Sequence, residues 1–161
     1  MNHKEMTRYL KIITIVLGVL LLAFVIFYMP TSLFARLKLI GGPNVYLIIF
    51  FLAVELSIIP CLLALYQFWC ICKRIESENS FCMENAQSLK KMSQLMLLDL
   101  FLFIGVGMLY FTLPLPTITE IFGVALLLII PVCIILSIIC AALSHLVQKA
   151  SVLQEEHDYT V

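Results

Sequence analysis

Charge is what this sequence has least of. Ten Asp or Glu and ten Lys or Arg make up 12% of 161 residues, and they cancel to a net charge of zero. A soluble domain of this size needs a larger polar shell than those side chains provide. The missing basic excess also removes the electrostatic footprint of a nucleic-acid binder, so no direct nucleic-acid contact is expected. A single Trp against eleven Phe suits a lipid-facing surface better than a platform for stacking bases.

Motif chemistry is equally thin. The six Cys, at 61, 70, 72, 82, 133 and 140, include no C-x-x-C pair, so they read as reduced packing residues. Cys70, Cys72, Cys82, His145 and His157 can be assembled into a metal site on paper, but C-x-C lacks the paired spacing of structural zinc. There is no G-x-S-x-G elbow, no H-E-x-x-H helix and no glycine-rich phosphate loop. The expectation is a protein that is not an enzyme and needs no cofactor or metal.

What is abundant is hydrocarbon. Hydrophobic residues make up 63% of the chain, and the mean hydropathy is +1.09. Lys4, Arg8 and Lys11 precede an apolar run, Ile12 to Met29, in the manner of a signal peptide, but Tyr28-Met29-Pro30 offers no small-residue cleavage site. A helix of about 20 residues crosses ~30 Å of hydrocarbon, so the run reads as a first span, 12–29, ended by Pro30. Residues 31–44 then read as a loop closed by Gly41-Gly42-Pro43-Asn44. Further spans are expected at 45–69, 95–113 and 121–146, with prolines at 60 and 131 inside the second and fourth. The fold class is an all-α integral membrane protein, a four-helix bundle forming one membrane domain over 1–161. The bilayer is its first partner.

A connector, 70–94, separates the two apolar halves. Within it Cys82, Ala86, Leu89, Met92 and Met96 recur at helical steps, while Glu84, Gln87, Ser88, Lys90, Lys91 and Gln94 fall elsewhere around the turn. The spacing predicts an amphipathic helix capped by Asn79 or Ser80 and continuous with the third span. The tail, 147–161, is expected to prolong the fourth helix through Leu146, Ala150 and Leu153. With both termini inside, Lys4, Arg8, Lys11, Lys73, Arg74, Lys90, Lys91 and Lys149 are cytoplasmic, and only Arg36 and Lys38 lie outside. The positive-inside bias therefore places the termini and the connector in the cytoplasm, with the chain in the plasma membrane.

Two acids interrupt the spans, each costing about 2.5–3.5 kcal/mol at mid-bilayer unless answered. At ~1.5 Å per residue, Glu55 is expected roughly 15 Å deep and Asp99 only about 6 Å past the inner boundary. Tyr28 and Tyr110 are expected on the outer side of Glu55, within its reach, and Gln67, Ser144 and His145 at about the level of Asp99. Pro60 and Pro131 leave the carbonyls of Leu56 and Leu127 without their helical donors. The candidate intramembrane polar site is Glu55, Tyr28, Tyr110, Asp99 and His145. The competing reading is a hydrogen-bonded tie between helices.

The stretches "SFCMENAQSLKKMS" at 80–93 and "LQEEHDYTV" at 153–161 carry a resemblance. The chain resembles the YoaS-like bacterial membrane proteins, a four-span family of unknown function. The resemblance implies a neighbouring small regulator of the Cro/CI helix-turn-helix type, and no catalytic or binding residues. Asn79-Ser80 stands where members often have Gly or Pro, and Tyr159 where Leu is usual. Both matched stretches fall on the expected cytoplasmic face. They suggest a docking surface of Phe81, Glu84, Asn85, Leu89, Lys90, Lys91, Leu153, Glu155, Glu156, Asp158 and Val161.

The leading expectation is thus a regulatory or accessory protein that binds a cytoplasmic DNA-binding regulator. A transporter or ligand-sensing bundle using Glu55 is the second. A structural or immunity-type protein acting through self-association is the third.

Overall fold

The computed structural model describes residues 3–77, 82–113 and 120–158, which are helical and contain no strand. The helices are α1 (His3–Ala23), α2 (Met29–Ile40), α3 (Val45–Glu76), α4 (Met83–Thr112) and α5 (Glu120–Asp158). A five-residue π-helical stretch, Phe24–Tyr28, joins α1 to α2 as one rod. Four stretches are long and apolar enough to cross a bilayer: Thr7–Ile40, Val45–Glu76, Met83–Thr112 and Phe122–Leu153. Large apolar side chains stand outward along them, Phe111 at 83% and Leu127 at 72% exposure. Water would penalise such a surface and lipid does not. This is an all-α, four-span protein whose connector helix runs unbroken into the third span.

Pro30 does not end the first helix. A proline lacks an N–H and its ring crowds the carbonyl four residues back, here Ile26. The π-helical turn answers this by widening: the Met29 N–H bonds to the Phe24 carbonyl, five residues back. Beyond it, the Thr31 hydroxyl donates to the Phe27 and Tyr28 carbonyls at 2.6 and 3.0 Å, and Ser32 to Met29 at 2.9 Å. The predicted 31–44 loop is therefore mostly helix.

The turn between α2 and α3 is short and closed from both sides. Gly41 has φ 82°, a left-handed conformation that glycine adopts without Cβ strain, and Gly42 donates to the Leu37 carbonyl. Asn44 caps α3, its Oδ1 accepting from the Tyr46 and Leu47 N–H groups at 3.0 and 3.3 Å. At the other junction α4 starts at Met83 after Cys82, which makes no side-chain cap bond. Asn79 and Ser80, the predicted caps, lie outside the described residues.

Each rod packs antiparallel on its sequence neighbours, so α4 lies between α3 and α5 while the first rod leans on α3. Near the Gly41 turn the core is apolar, built from Met29, Leu47, Phe50, Phe51, Val54, Val106 and Leu126. Toward the connector it becomes small and polar: Ala86, Ser88, Ser93, Ser137, Ser144 and Ser151 are all buried. α5 is 39 residues long, ~58 Å at the helical rise and well beyond ~30 Å of hydrocarbon, so its connector-side end projects past the lipid.

Replacing Asn44 with Ala removes the cap and should cost about 1 kcal/mol in equilibrium unfolding from micelles, while Asn44→Asp should cost much less.

Candidate functional site

α4 carries the polar groups of the interior on two flanks. On the α5 side, Ser93 and Ser137 share a hydroxyl–hydroxyl bond of 3.2 Å, and Ser137 is also 3.2 Å from the Ser93 carbonyl. One heptad toward the connector, the Ser144 hydroxyl donates to the Ala86 carbonyl at 2.7 Å. Residues 86 and 93 thus meet 144 and 137, the register of an antiparallel coiled coil with a seven-residue repeat. Ser151, one heptad further along α5, is also buried and donates to the Gln148 carbonyl of its own helix at 2.9 Å. Small hydroxyl residues let the two backbones approach closely and then tie them.

On the α3 side, the Arg74 guanidinium gathers the start of α4. It donates to Ser88 Oγ at 2.9 Å and to Asn85 Oδ1 and the Glu84 carbonyl at 3.4 Å, with Glu84 Oε2 4.0 Å away. Lys11 fixes the first rod at the same end: it pairs with Glu76 and lies 5.8 Å from the Trp69 ring.

Asp99 lies where α3, α4 and α5 meet and is 1% exposed. Its Oδ2 accepts from the Cys61 thiol of α3 at 3.1 Å. Cys133 of α5 is buried within electrostatic reach of the same carboxyl. Oδ1 has no hydrogen-bond partner, the one such buried side-chain oxygen among the described residues. A single S–H donor is weak support for a buried carboxyl.

These contacts correct the predicted intramembrane constellation. Asp99 is not open to water; it is enclosed because α4 is the middle helix. Its neighbours are Cys61 and Cys133, whereas Ser144 bonds Ala86 and His145 is exposed. The difference is one of register: 144 pairs with 86, nine residues before the expected start of the third span at 95. Glu55 is half-buried and nothing among the described residues hydrogen-bonds it. Depth along a helix is countable from its end, but rotation is set by neighbours, and the stripe Phe50, Val54, Ser57, Cys61 turns inward instead. Tyr28 is 59% exposed and stacks on Phe24 at 4.9 Å, and Tyr110 packs on Phe122 at 5.9 Å. Tyr28, Tyr110 and Glu55 therefore do not assemble around a common acid.

The predicted docking surface divides. Glu84, Lys90, Lys91 and Leu153 are exposed, whereas Asn85 is 2% exposed and Leu89 is half-buried. Asn85 is turned inward to accept from Arg74. Along the end of α5, Leu146 and Leu153 are exposed while Ser144 and Ser151 are buried, and Ser144 faces α4. Phe81 and Val161 lie outside the described residues, as do the side chains of Glu155, Glu156 and Asp158.

A cavity of about 450 Å³ lies between the first rod, α3, α4 and α5. Phe50, Phe51, Val54, Phe103, Phe122 and Leu126 supply its apolar wall. Its polar lining residues are Ser32 and Arg36 of α2, Tyr28 of the π-helical stretch, and Ser57 and Cys61 of α3. Cys61 therefore touches the cavity and Asp99 at once. Phe24 and Tyr28 line it while staying 45% and 59% exposed, so it is open on the first rod's side. The sequence reading missed this cavity and the serine seam. The heptad spacing of Ser137, Ser144 and Ser151 was a visible signal for the second. Among the described residues, no three His, Cys, Asp or Glu side chains are grouped as metal ligands would be.

Replacing Ser137 or Ser144 with Ala should each cost about 0.6 kcal/mol in equilibrium unfolding from mixed micelles, the usual worth of such a bond in a membrane interior. Ser137→Leu, which forces bulk between α4 and α5, should cost more, about 1–3 kcal/mol.

No curated protein and no solved structure matches the chain. Its sequence does match a family model over residues 3–161, and on that match the chain belongs to DUF2975, a family of proteins of unknown function.

Proposed function

We propose that the chain is a non-enzymatic regulatory or accessory protein of the bacterial plasma membrane, with both termini cytoplasmic. Its partner on this reading is a small cytoplasmic regulator of the Cro/CI helix-turn-helix type. The observation that carries the proposal is the projection of α4 and α5 past the apolar region as one braced pair. The Ser144–Ala86 bond ties the pair, and the three acceptors of Arg74 lock α4 to α3. A braced pair presents a rigid surface, which lowers the ordering cost of binding. Glu84, Lys90, Lys91 and Leu153 are exposed on it, mixed in charge and with an apolar contact. The orientation rests on the eight-to-two split of basic residues. The YoaS-like resemblance of the connector and tail supports the class of partner.

Full-length protein in detergent should capture the regulator, and deletion of residues 153–161 should abolish capture. Lys90→Glu with Lys91→Glu should weaken it by about tenfold, or 1.4 kcal/mol. Unchanged capture by both variants would contradict the proposal.

The ligand-sensing reading moves from Glu55, which is not part of the cavity wall, to the cavity itself.

A further inference from the structure

The connector-side end of α5 has three faces. Ser144 and Ser151 mark the buried one, and Ser144 is tied to the Ala86 carbonyl of α4. His145, Gln148 and Lys149 make an exposed polar face. Leu143, Leu146, Ala150 and Leu153 make the third, roughly 130° around the helix from the serines at ~100° per residue. The three leucines are exposed and Ala150 is half-buried. This third face is turned away from α4, the helix on which α5 packs.

Lipid does not cover that face. The contacts of Ser93 with Ser137 and of Ala86 with Ser144 fix an antiparallel register, which sets Lys90 and Lys91 level with Cys140 and Ile139. Both lysines are exposed, so the lipid ends near them. The leucines lie further out, beside exposed Gln87 and Glu84. The Ser144 tie holds α5 along α4 at this level, so the end does not turn down onto the membrane surface. Left in water, three leucines on one stripe carry a hydrophobic penalty.

The continuation of the stripe says what covers it. Its alternating steps of four and three residues run back through Ile139, Leu136 and Val132, all exposed, into the apolar span. From Val132 to Leu153 the spacing is that of a two-helix coiled coil. A soluble protein reaches the outer leucines only. A partner that matches the whole stripe must itself cross the bilayer, and a second copy does so in the same orientation with the same stripe at the same depth. Charge permits the match. Between Val132 and Leu153 there is no Asp or Glu, and the one Lys, Lys149, lies off the stripe. Identical faces therefore meet across a two-fold axis without like charges opposed.

We propose that two copies of the chain pair in parallel along this stripe of α5, as a symmetric dimer with a short coiled coil at its cytoplasmic end. The outer leucines supply most of the affinity, because apolar contact between helices gains little where lipid is the alternative. Confinement of both copies to one membrane raises their effective concentration. The serine side of α5 stays on α4. The dimer is separate from the regulator reading, although Leu153 belongs to both surfaces.

The test uses the full-length chain alone in liposomes, with the six native Cys replaced. Leu146→Cys should give a disulfide-linked dimer on mild oxidation, since the stripe sets each residue against its own counterpart. Gln148→Cys, on the polar face, should not. Energy transfer between donor- and acceptor-labelled chains, measured as lipid dilutes them, should report the same dimer. Leu143→Ala with Leu146→Ala should lower that association by about tenfold. Bridging at 148 as strong as at 146, or no energy transfer beyond chance encounters, would overturn the proposal. The crosslinking comparison decides even if the double variant does not fold. With no regulator present, loss of the dimer and loss of regulator capture are read separately.

Discussion

In lipid, every polar group that leaves water must find its partner inside the protein, and this chain meets that demand mainly along α4. Helix formation answers the backbone, but the side chains at helix interfaces need separate answers. Ser93 with Ser137, Ser144 with the Ala86 carbonyl, and Arg74 with Asn85 and Ser88 are those answers. Each is modest in energy, yet together they set the register of α3 and α5 on α4. Burial of apolar area contributes little between helices when the alternative solvent is also hydrocarbon, so close packing of small residues and these bonds decide the arrangement.

The consequence is a molecule with two unlike ends. Toward the connector, small residues bring helices together and the polar seam stiffens the projecting pair. Toward the Gly41 turn, aromatic residues hold the helices apart, and the Phe50–Phe122 contact at 5.0 Å stands beside an unfilled space. Cys61 and Asp99 lie at the boundary. A carboxyl with one thiol donor and one unanswered oxygen is the least settled polar group of the interior, and it is next to the space a ligand would enter. A change in the cavity therefore has a short physical path to the helix that leads out to the connector.

Much of this was legible from residues alone. Span number and the continuous connector helix follow from hydropathy and period, because the length of an apolar helix is dictated by bilayer thickness. What failed depended on neighbours. Pro30 looked like a terminator because its local cost is plain, while the π-helical turn that absorbs it has no sequence signature. Glu55 looked central because depth can be counted, but which way it faced could not. Asp99 looked accessible because its depth was counted from the start of the apolar run at 95, whereas its enclosure is set by α3 and α5 packing on either side of α4. The tail was read as an amphipathic extension through Leu146, Ala150 and Leu153, without its serines. Ser137, Ser144 and Ser151 are buried and Leu146 and Leu153 exposed, and the seven-residue steps of the serines carried that message.

The register of α4 on α5 is the claim from which the positions of the seam, the enclosed acid and the cavity all follow. Disulfide formation tests it directly, in a background with the six native Cys replaced. Ser93→Cys with Ser137→Cys should oxidise readily within one chain in the bilayer, since the two hydroxyls stand 3.2 Å apart. The control pair Ser93→Cys with Ile138→Cys, whose second position is 63% exposed, should not. Equal or faster bridging by the control would show that the helices meet in a different register and would contradict the account.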